Sequence, residues 1–495
     1  MKPFVCLAII AIFVSSHGEE VTYSRDIAPF LQESCVGCHR EGGGAPFGLT
    51  DHRSVQRKAT TIIRVIESGF MPPWHAIGGD IPLVGDRRLE EEEIDLFRKW
   101  VHAGRPEGDP ADLPIPRVFP VGWHLGEPDL ILTMDEAYEL DADGPDIYRN
   151  FVLPTGLTEL KYLKAVEFRA SSPEVVHHAL LYVDTKGRAR EVDEADPAPG
   201  FAEMPVGEGT GGGIGGWVPG ASPRPLPEGL AHHLPAGSDI VIQAHFHPSG
   251  KPEREQSQIG LYFSDKAPER LFTSIQLPPL FGAFSGIDLA PGEVETVVTD
   301  SFELPVAVRA FGVHPHSHYR GKSLSMTAHL PDGKTIVLVD VPDWDMDWQE
   351  EYRFTREVPL PAGTRLESKV VWDNSAESSD NPIVPPVRVR WGFESLDEMG
   401  SIDLFVIAEG DKKQAAVAMK QLGTAKSEHL VWKAGSHVIG PDKLKIFGEL
   451  RDKAMVRFDT NGDGMLGREE RNFARESLQS VLPWEPGHSR PHIDQ

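Results

Sequence analysis

Cys35-Val-Gly-Cys38-His39 sets two thiols three positions apart, with a histidine immediately after them. Thiols at that spacing reach the two vinyl groups of one haem, and the adjacent imidazole becomes an axial iron ligand. A zinc site would want further ligands nearby, and a redox dithiol would want a βαβ setting. The second axial position falls to Met71 by elimination, because it is the only methionine between the N-terminal apolar segment and a Pro-rich stretch at 106–120. A His/Met pair gives a raised potential suited to electron transfer. His52, His75 and His102 are the alternatives, and the plain reading of Met71 is a core thioether.

Three histidine groups lie in β-type runs. His177-His178 sits in VVHHALLYV. Neighbours on a strand face opposite sides, so both reach one metal only if the backbone twists or bulges there. His245 and His247 share a face in QAHFHP, and His314, His316 and His318 share one in HPHSH if that run is extended. Pairs at i, i+2 have chelate geometry for zinc or copper, although each could also be a polar surface stripe. His232-His233 is a further adjacent pair with no assignable role.

A third chemistry lies near the C-terminal end. Asp459, Asn461 and Asp463 supply oxygens at alternate positions, Gly464 makes a sharp turn, Met465 offers its carbonyl, and Glu470 closes the loop. That is the pattern of an EF-hand calcium loop, with water expected at Gly467. A single loop points to a structural calcium rather than a sensor.

These residues need elements to hold them. Residues 20–105 read as helical; in Leu89–Ala103, Ile94, Phe97, Trp100 and Val101 recur at helical spacing. A linker follows at 106–121. From 122 to 410 short β-type runs alternate with Gly/Pro turns, which predicts β-sandwiches rather than α/β units. The length suits two jelly-roll-like sandwiches, 122–277 and 278–410, with the seam at Pro278–Gly282. The Gly-rich stretch 207–216 lacks the strand–helix context of a phosphate loop. A helix–loop–helix segment at 440–480 completes the multidomain chain: a small all-α haem domain, two all-β domains and an EF-hand.

The formal net charge of −26 would repel phosphate backbones and anionic membranes, so nucleic-acid binding is disfavoured. Residues 1–18 read as a signal for export, to a periplasmic or extracellular location, with an uncleaved anchor as the alternative. Outside that segment only Cys35 and Cys38 remain of three cysteines, so no disulfide framework is expected.

Residues 20–105 resemble small c-type cytochromes. The order of the histidine groups resembles the copper type II, ascorbate-dependent monooxygenases, the family of the peptidylglycine and dopamine β-monooxygenases. The matching motifs are His177-His178, Gln243-Ala244-His245, His316-Ser317-His318-Tyr319-Arg320-Gly321-Lys322, and Met399 in Asp397-Glu398-Met399. The resemblance implies an electron-transfer copper on His177, His178 and His245. It implies a second, oxygen-binding copper on His316, His318 and Met399, the catalytic set. A thioether favours Cu(I), whereas zinc seldom takes methionine. His247 could replace His245, and His314 could extend the second set.

The function so implied is hydroxylation of an aliphatic or benzylic C–H bond of a small organic substrate by O2. An ascorbate-like or protein donor would supply electrons, relayed by the fused haem. A non-catalytic haem/copper electron carrier and a His-ligated zinc hydrolase are the alternatives.

Overall fold

The computed structural model describes residues 20–436 except 42, 44, 46, 120–121, 145, 203–209, 219–222 and 393, and except the side chains of 210–212, 431 and 434–436. The signal segment and the calcium loop, with Asp459, Asn461, Asp463, Met465 and Glu470, lie outside the described residues. The described residues separate into two compact units. One runs to Pro73 and resumes at Arg87–Phe119; the other takes Trp74–Asp86 and the remainder.

The first unit is helical. Glu91–His102 begins in a capping box, in which Glu90 and Glu93 each satisfy the other's backbone N–H. Its acidic first turn opposes the positive end of the helix dipole. Phe97 and Trp100 are fully buried, against Tyr23, Phe30 and Leu31 of the N-terminal turns. His52–Glu67 is N-capped by Asp51, which accepts from Ser54 N at 2.9 Å. Val55, Ala59, Ile62 and Ile66, spaced by three or four, face the same core.

The second unit is built of β-sandwiches, as the Gly/Pro-punctuated runs predict. In the first sandwich one sheet has the order Leu130–Thr133, Gln258–Phe263, Lys161–Arg169, His232–Leu234. The other has the order Ile147–Pro154, Asp239–Phe246, Val176–Asp184, Thr210–Trp217. All the ladders are antiparallel. Their inner faces share one core, with Leu163, Phe168, Ile259 and Leu261 from one sheet and Leu153, Leu181, Ile240 and Ile242 from the other. Asp239–Phe246 is buried at all eight positions, so its outward-facing Val241, Gln243 and His245 are covered too.

The second sandwich pairs a sheet in the order Phe272–Leu277, Gly400–Ala408, Val308–Ser317, Tyr352–Leu360 with one in the order Thr296–Glu303, Arg365–Trp372, Gly321–His329, Thr335–Val341. Helix Lys412–Ser436 is anchored on it. His429 and Lys433 both reach the buried carboxylate of Asp300 at 2.9 Å, and Lys426 donates to Ser274 O at 2.6 Å. Among the described residues, no helix is long and apolar enough to cross a membrane.

Two expected boundaries move. The seam does not fall at Pro278, because Phe272–Leu277 pairs along its whole length with Gly400–Ala408 and so belongs to the second sandwich. The span 20–105 is also not one domain. Trp74, Ala76 and Ile81 sit in the core of the second sandwich, and Gly78 exchanges backbone hydrogen bonds with Asp340 at 3.2 and 3.1 Å. A Cβ at Gly78 would come 2.7 Å from the Asp340 side chain, so glycine is what lets that backbone approach.

Trp74→Ala tests this assignment. The indole is buried, edge-on to Tyr352 at 5.1 Å. Its loss should destabilise the sandwich unit by about 3–5 kcal/mol in urea denaturation followed by near-UV circular dichroism. A change below about 1 kcal/mol would return the segment to the helical unit.

Candidate metal centres

The adjacent histidines on Val176–Asp184 present the geometric problem posed by strand alternation. The structure solves it with a bulge: the pairing with Asp239–Phe246 shifts register between Val176 and His178, and His178 then stands directly opposite His245. His177 Nδ1 lies 3.2 Å from His178 Nδ1, and His245 Nδ1 lies 3.4 Å from it. The ligand atoms of the three side chains all fall within 4.8 Å of one another. Two nitrogens bound tetrahedrally at about 2.0 Å to one ion would be about 3.3 Å apart. The spacing found is therefore that of a chelate.

The outer nitrogens are held as metal-ligating imidazoles usually are. His177 Nε2 is 2.7 Å from Asp347 Oδ1, and His245 Nε2 is 2.8 Å from Asp146 Oδ2. A carboxylate on Nε2–H fixes the tautomer, turns the Nδ1 lone pair inward and raises its basicity. Tyr148 stacks on His245 at 4.2 Å with ring planes 10° apart. Burial pushes His178 well below the usual histidine range, with the charges of His245 and His177 adding to it. Burial also lowers His245, against the opposing hydrogen bond that it donates to Asp146. Burial raises the Asp146 carboxyl, but hydrogen bonds from His245, His247 and Tyr319 outweigh it and hold the group well below the carboxylate range. The His178 and His245 rings are therefore neutral and the Asp146 and Asp347 carboxylates ionised.

The second cluster lies where Val308–Ser317 ends. The His316 and His318 rings are 5.4 Å apart and nearly perpendicular, at 85°. His316 Nδ1 donates to Gln349 Oε1 at 2.5 Å, while its Nε2 is buried and has no hydrogen-bond partner. An orphaned lone pair in a dry site costs free energy, and metal coordination satisfies it. His318 Nδ1 donates to Asp397 O at 3.2 Å. Burial lowers both rings, His318 to about 4. Met399 is buried in the apolar core of the second sandwich, and its carbonyl accepts Ser317 Oγ–H at 2.9 Å.

Glu398 holds this turn. Its carboxylate accepts from Arg320 N at 2.7 Å, Trp372 Nε1 at 2.9 Å and His318 N at 3.2 Å. Gly321 has a physical reason as well: a Cβ there would meet the Trp344 ring at 2.5 Å and Ser317 Oγ at 2.7 Å.

The other histidines separate. His247 is largely exposed and bonds Asp146 Oδ1 at 2.8 Å, sharing that carboxylate with His245 rather than replacing it. His314 stands opposite Asp403 in the ladder. His232 packs edge-on to Phe272 at 5.0 Å, and His233 on Tyr162 at 5.5 Å.

In the helical unit the turn Cys35–His39 follows helix Ala28–Ser34 and is closed by Cys38 N and His39 N on Cys35 O, at 3.2 and 2.9 Å. His39 Nδ1 donates to Phe47 O at 3.1 Å, which fixes the ring's tautomer. Burial lowers His39 and pushes the Cys35 thiol up to about 12. Met71 is half-buried, its N–H on Val65 O at 3.0 Å. His52 has both ring nitrogens engaged, with Arg105 O at 3.0 Å and Glu107 at 3.6 Å. His75 belongs to the sandwich unit, its Nδ1 on Asp343 O at 3.0 Å.

Sequence reasoning missed Asp146, Asp347, Gln349, Tyr319 and Trp344. The visible signal was Asp343-Trp344-Asp345-Met346-Asp347-Trp348-Gln349, a run too rich in acids and indoles for a plain turn.

No protein-family model matches the sequence, and no curated protein matches it. Solved structures match it loosely. They include peptide:N-glycanase F, at 12% identity over 56% of this chain and 96% of that one, with a TM-score of 0.24. An infectious bursal disease virus Gx strain structure matches at 10% identity over 59% and 74%, with a TM-score of 0.18. Likenesses this loose carry no argument about fold or function.

The buried rings give a testable acid sensitivity. Burial holds His232 near 4 in the folded chain, whereas an unfolded histidine titrates near about 6.5. Between those values the unfolded state binds more protons. The stability is therefore complete above pH ~6.5 and is lost as pH falls towards ~4. Metal-free protein should lose stability across that window in urea titrations. His232→Phe should lose less, by on the order of 1–2 kcal/mol. Parallel losses in the two proteins would contradict the shift.

Proposed function

We propose that this chain is an exported copper-dependent monooxygenase carrying its own c-type haem unit. The observation that carries the reading is the pair of unlike clusters. One is a set of three converging imidazoles; the other pairs the His316 and His318 rings around a buried, unpartnered His316 Nε2, with the buried Met399 held through its carbonyl to Ser317 between them. His177, His178 and His245 would hold one copper, and His316, His318 and Met399 the other. Copper there would supply the redox chemistry that inserts one atom of O2 into an aliphatic or benzylic C–H bond.

The chain's own residues do the rest. Asp146, Asp347, Gln349 and the Asp397 carbonyl take the outer N–H groups and aim the inner lone pairs. Burial keeps the His178, His245, His316 and His318 rings neutral, which ligation requires. Met399 would add a soft donor to one cluster only, which would make the two sites chemically distinct. Cys35, Cys38, His39 and Met71 would hold the haem, which would supply one-electron transfer. Asp459, Asn461, Asp463, Met465 and Glu470 would hold a calcium ion. The partners are a small organic substrate, O2 and an external electron donor.

A carboxylate-backed three-histidine cluster also suits zinc, and that observation favours a hydrolase as the second reading. Met399 weighs against it.

Met399→Ala separates the readings. Reductant-driven oxygen insertion should fall on the order of 10²-fold or more, and copper content by at most one equivalent. His178→Ala should also abolish turnover while leaving the second cluster loaded, and the double variant should be little worse than either single one. The same preparation should keep its haem through acid–acetone extraction. Full activity and full copper in Met399→Ala would overturn the assignment.

A further inference from the structure

The two clusters do not have separate supports. The segment from Trp344 to Gln349 touches three of their histidines. Asp347 Oδ1 takes His177 Nε2–H at 2.7 Å, and Gln349 Oε1 takes His316 Nδ1–H at 2.5 Å. Trp344 Nε1 donates to His318 O at 3.2 Å. The segment has the build of one stiff body. Met346–Trp348 is a helical turn capped by Asp345, whose Oδ1 accepts Asp347 N at 2.8 Å, and Trp344 and Met346 are buried. A second bridge runs beside it. Asp146 accepts from His245 of the first cluster at 2.8 Å and from the hydroxyl of Tyr319, which follows His318, at 3.0 Å.

We propose that Trp344–Gln349 is a positioning segment shared by both clusters, so that a metal ion bound in one cluster raises the affinity of the other. The proposal rests on the reading that both clusters hold copper. An ion on His177 fixes that ring, and the ring fixes Asp347. Asp347 lies two residues from Gln349, which must stay in place for His316 to keep its Nε2 lone pair turned to the metal. An ion that orders the segment from one side spares the other ion that ordering cost, and the gain is reciprocal. Asp347 is a positioning residue for a cluster whose ligands all lie in the other sandwich. The first centre is therefore complete only when the two sandwiches are together.

The test is copper affinity, read without turnover. Full-length, metal-depleted protein is titrated with Cu(II) against a chromophoric chelator. Electron paramagnetic resonance follows the three-histidine signal, and circular dichroism checks the fold of each variant. Asp347→Ala should weaken the first cluster on the order of 10-fold or more. Gln349→Leu touches no ligand of the first cluster, yet it should weaken that cluster several-fold, within the usual 5–150-fold range of coupling between sites, roughly. Gln349→Glu, which keeps an acceptor oxygen, should restore the affinity. In a His316→Ala/His318→Ala background Gln349→Leu should have no effect on the first cluster.

Two results would overturn the coupling while sparing the copper reading: copper bound normally at both clusters with Gln349→Leu altering only the second, or Asp347→Ala leaving the first within twofold. Wild-type protein that binds no copper would overturn both.

Discussion

An imidazole buried away from water offers a lone pair to a metal only if something holds its other nitrogen. Left alone, the ring turns, changes tautomer or draws in a proton. In this molecule four of the five cluster histidines meet that condition. His177 leans on Asp347, His245 on Asp146, His316 on Gln349 and His318 on the Asp397 carbonyl. The sandwiches are the means of meeting it. Strand Asp239–Phe246, buried on both faces, removes water from His245. The bulge at Val176/His178 lets neighbouring residues serve one centre. Glu398 fixes the turn that carries His318.

The cost of this arrangement is carried by the surrounding core. Burying imidazoles, carboxylates and the Arg320 guanidinium forgoes hydration that pairing only partly returns. Burial alone pushes the Glu398 carboxyl up to about 7, against three hydrogen-bond donors. Around it lies a large apolar core that includes Trp372, Val370, Leu404 and Ile402. Rigid packing there keeps polar groups at fixed distances, which is the preorganisation a metal centre needs.

What was legible in the sequence follows from range. Strand runs, turns and histidine spacing are local, and they gave the β-sandwiches and the candidate ligands. That a twist or bulge at His177-His178 was needed for both rings to reach one metal was legible too, because neighbours on a regular strand face opposite sides. The supports were not legible. Asp347 is 170 positions from His177, and Asp146 is 99 from His245; no local pattern joins them. The same limit displaced the seam: Pro278 looks like a break, but Phe272–Leu277 finds its partner strand some 130 positions later. Residues 74–86 form isolated bridges rather than a strand, so their place in the second sandwich left no periodic trace.

The central claim is that two chemically unlike copper centres are built on these supports. The most direct measurement is X-ray absorption at the copper edge on reduced, fully loaded protein. The account predicts nitrogen scattering from imidazoles at both centres, with a sulfur shell at half occupancy from Met399. Copper spectra with no sulfur shell, or a chain that takes up zinc in preference to copper, would contradict it.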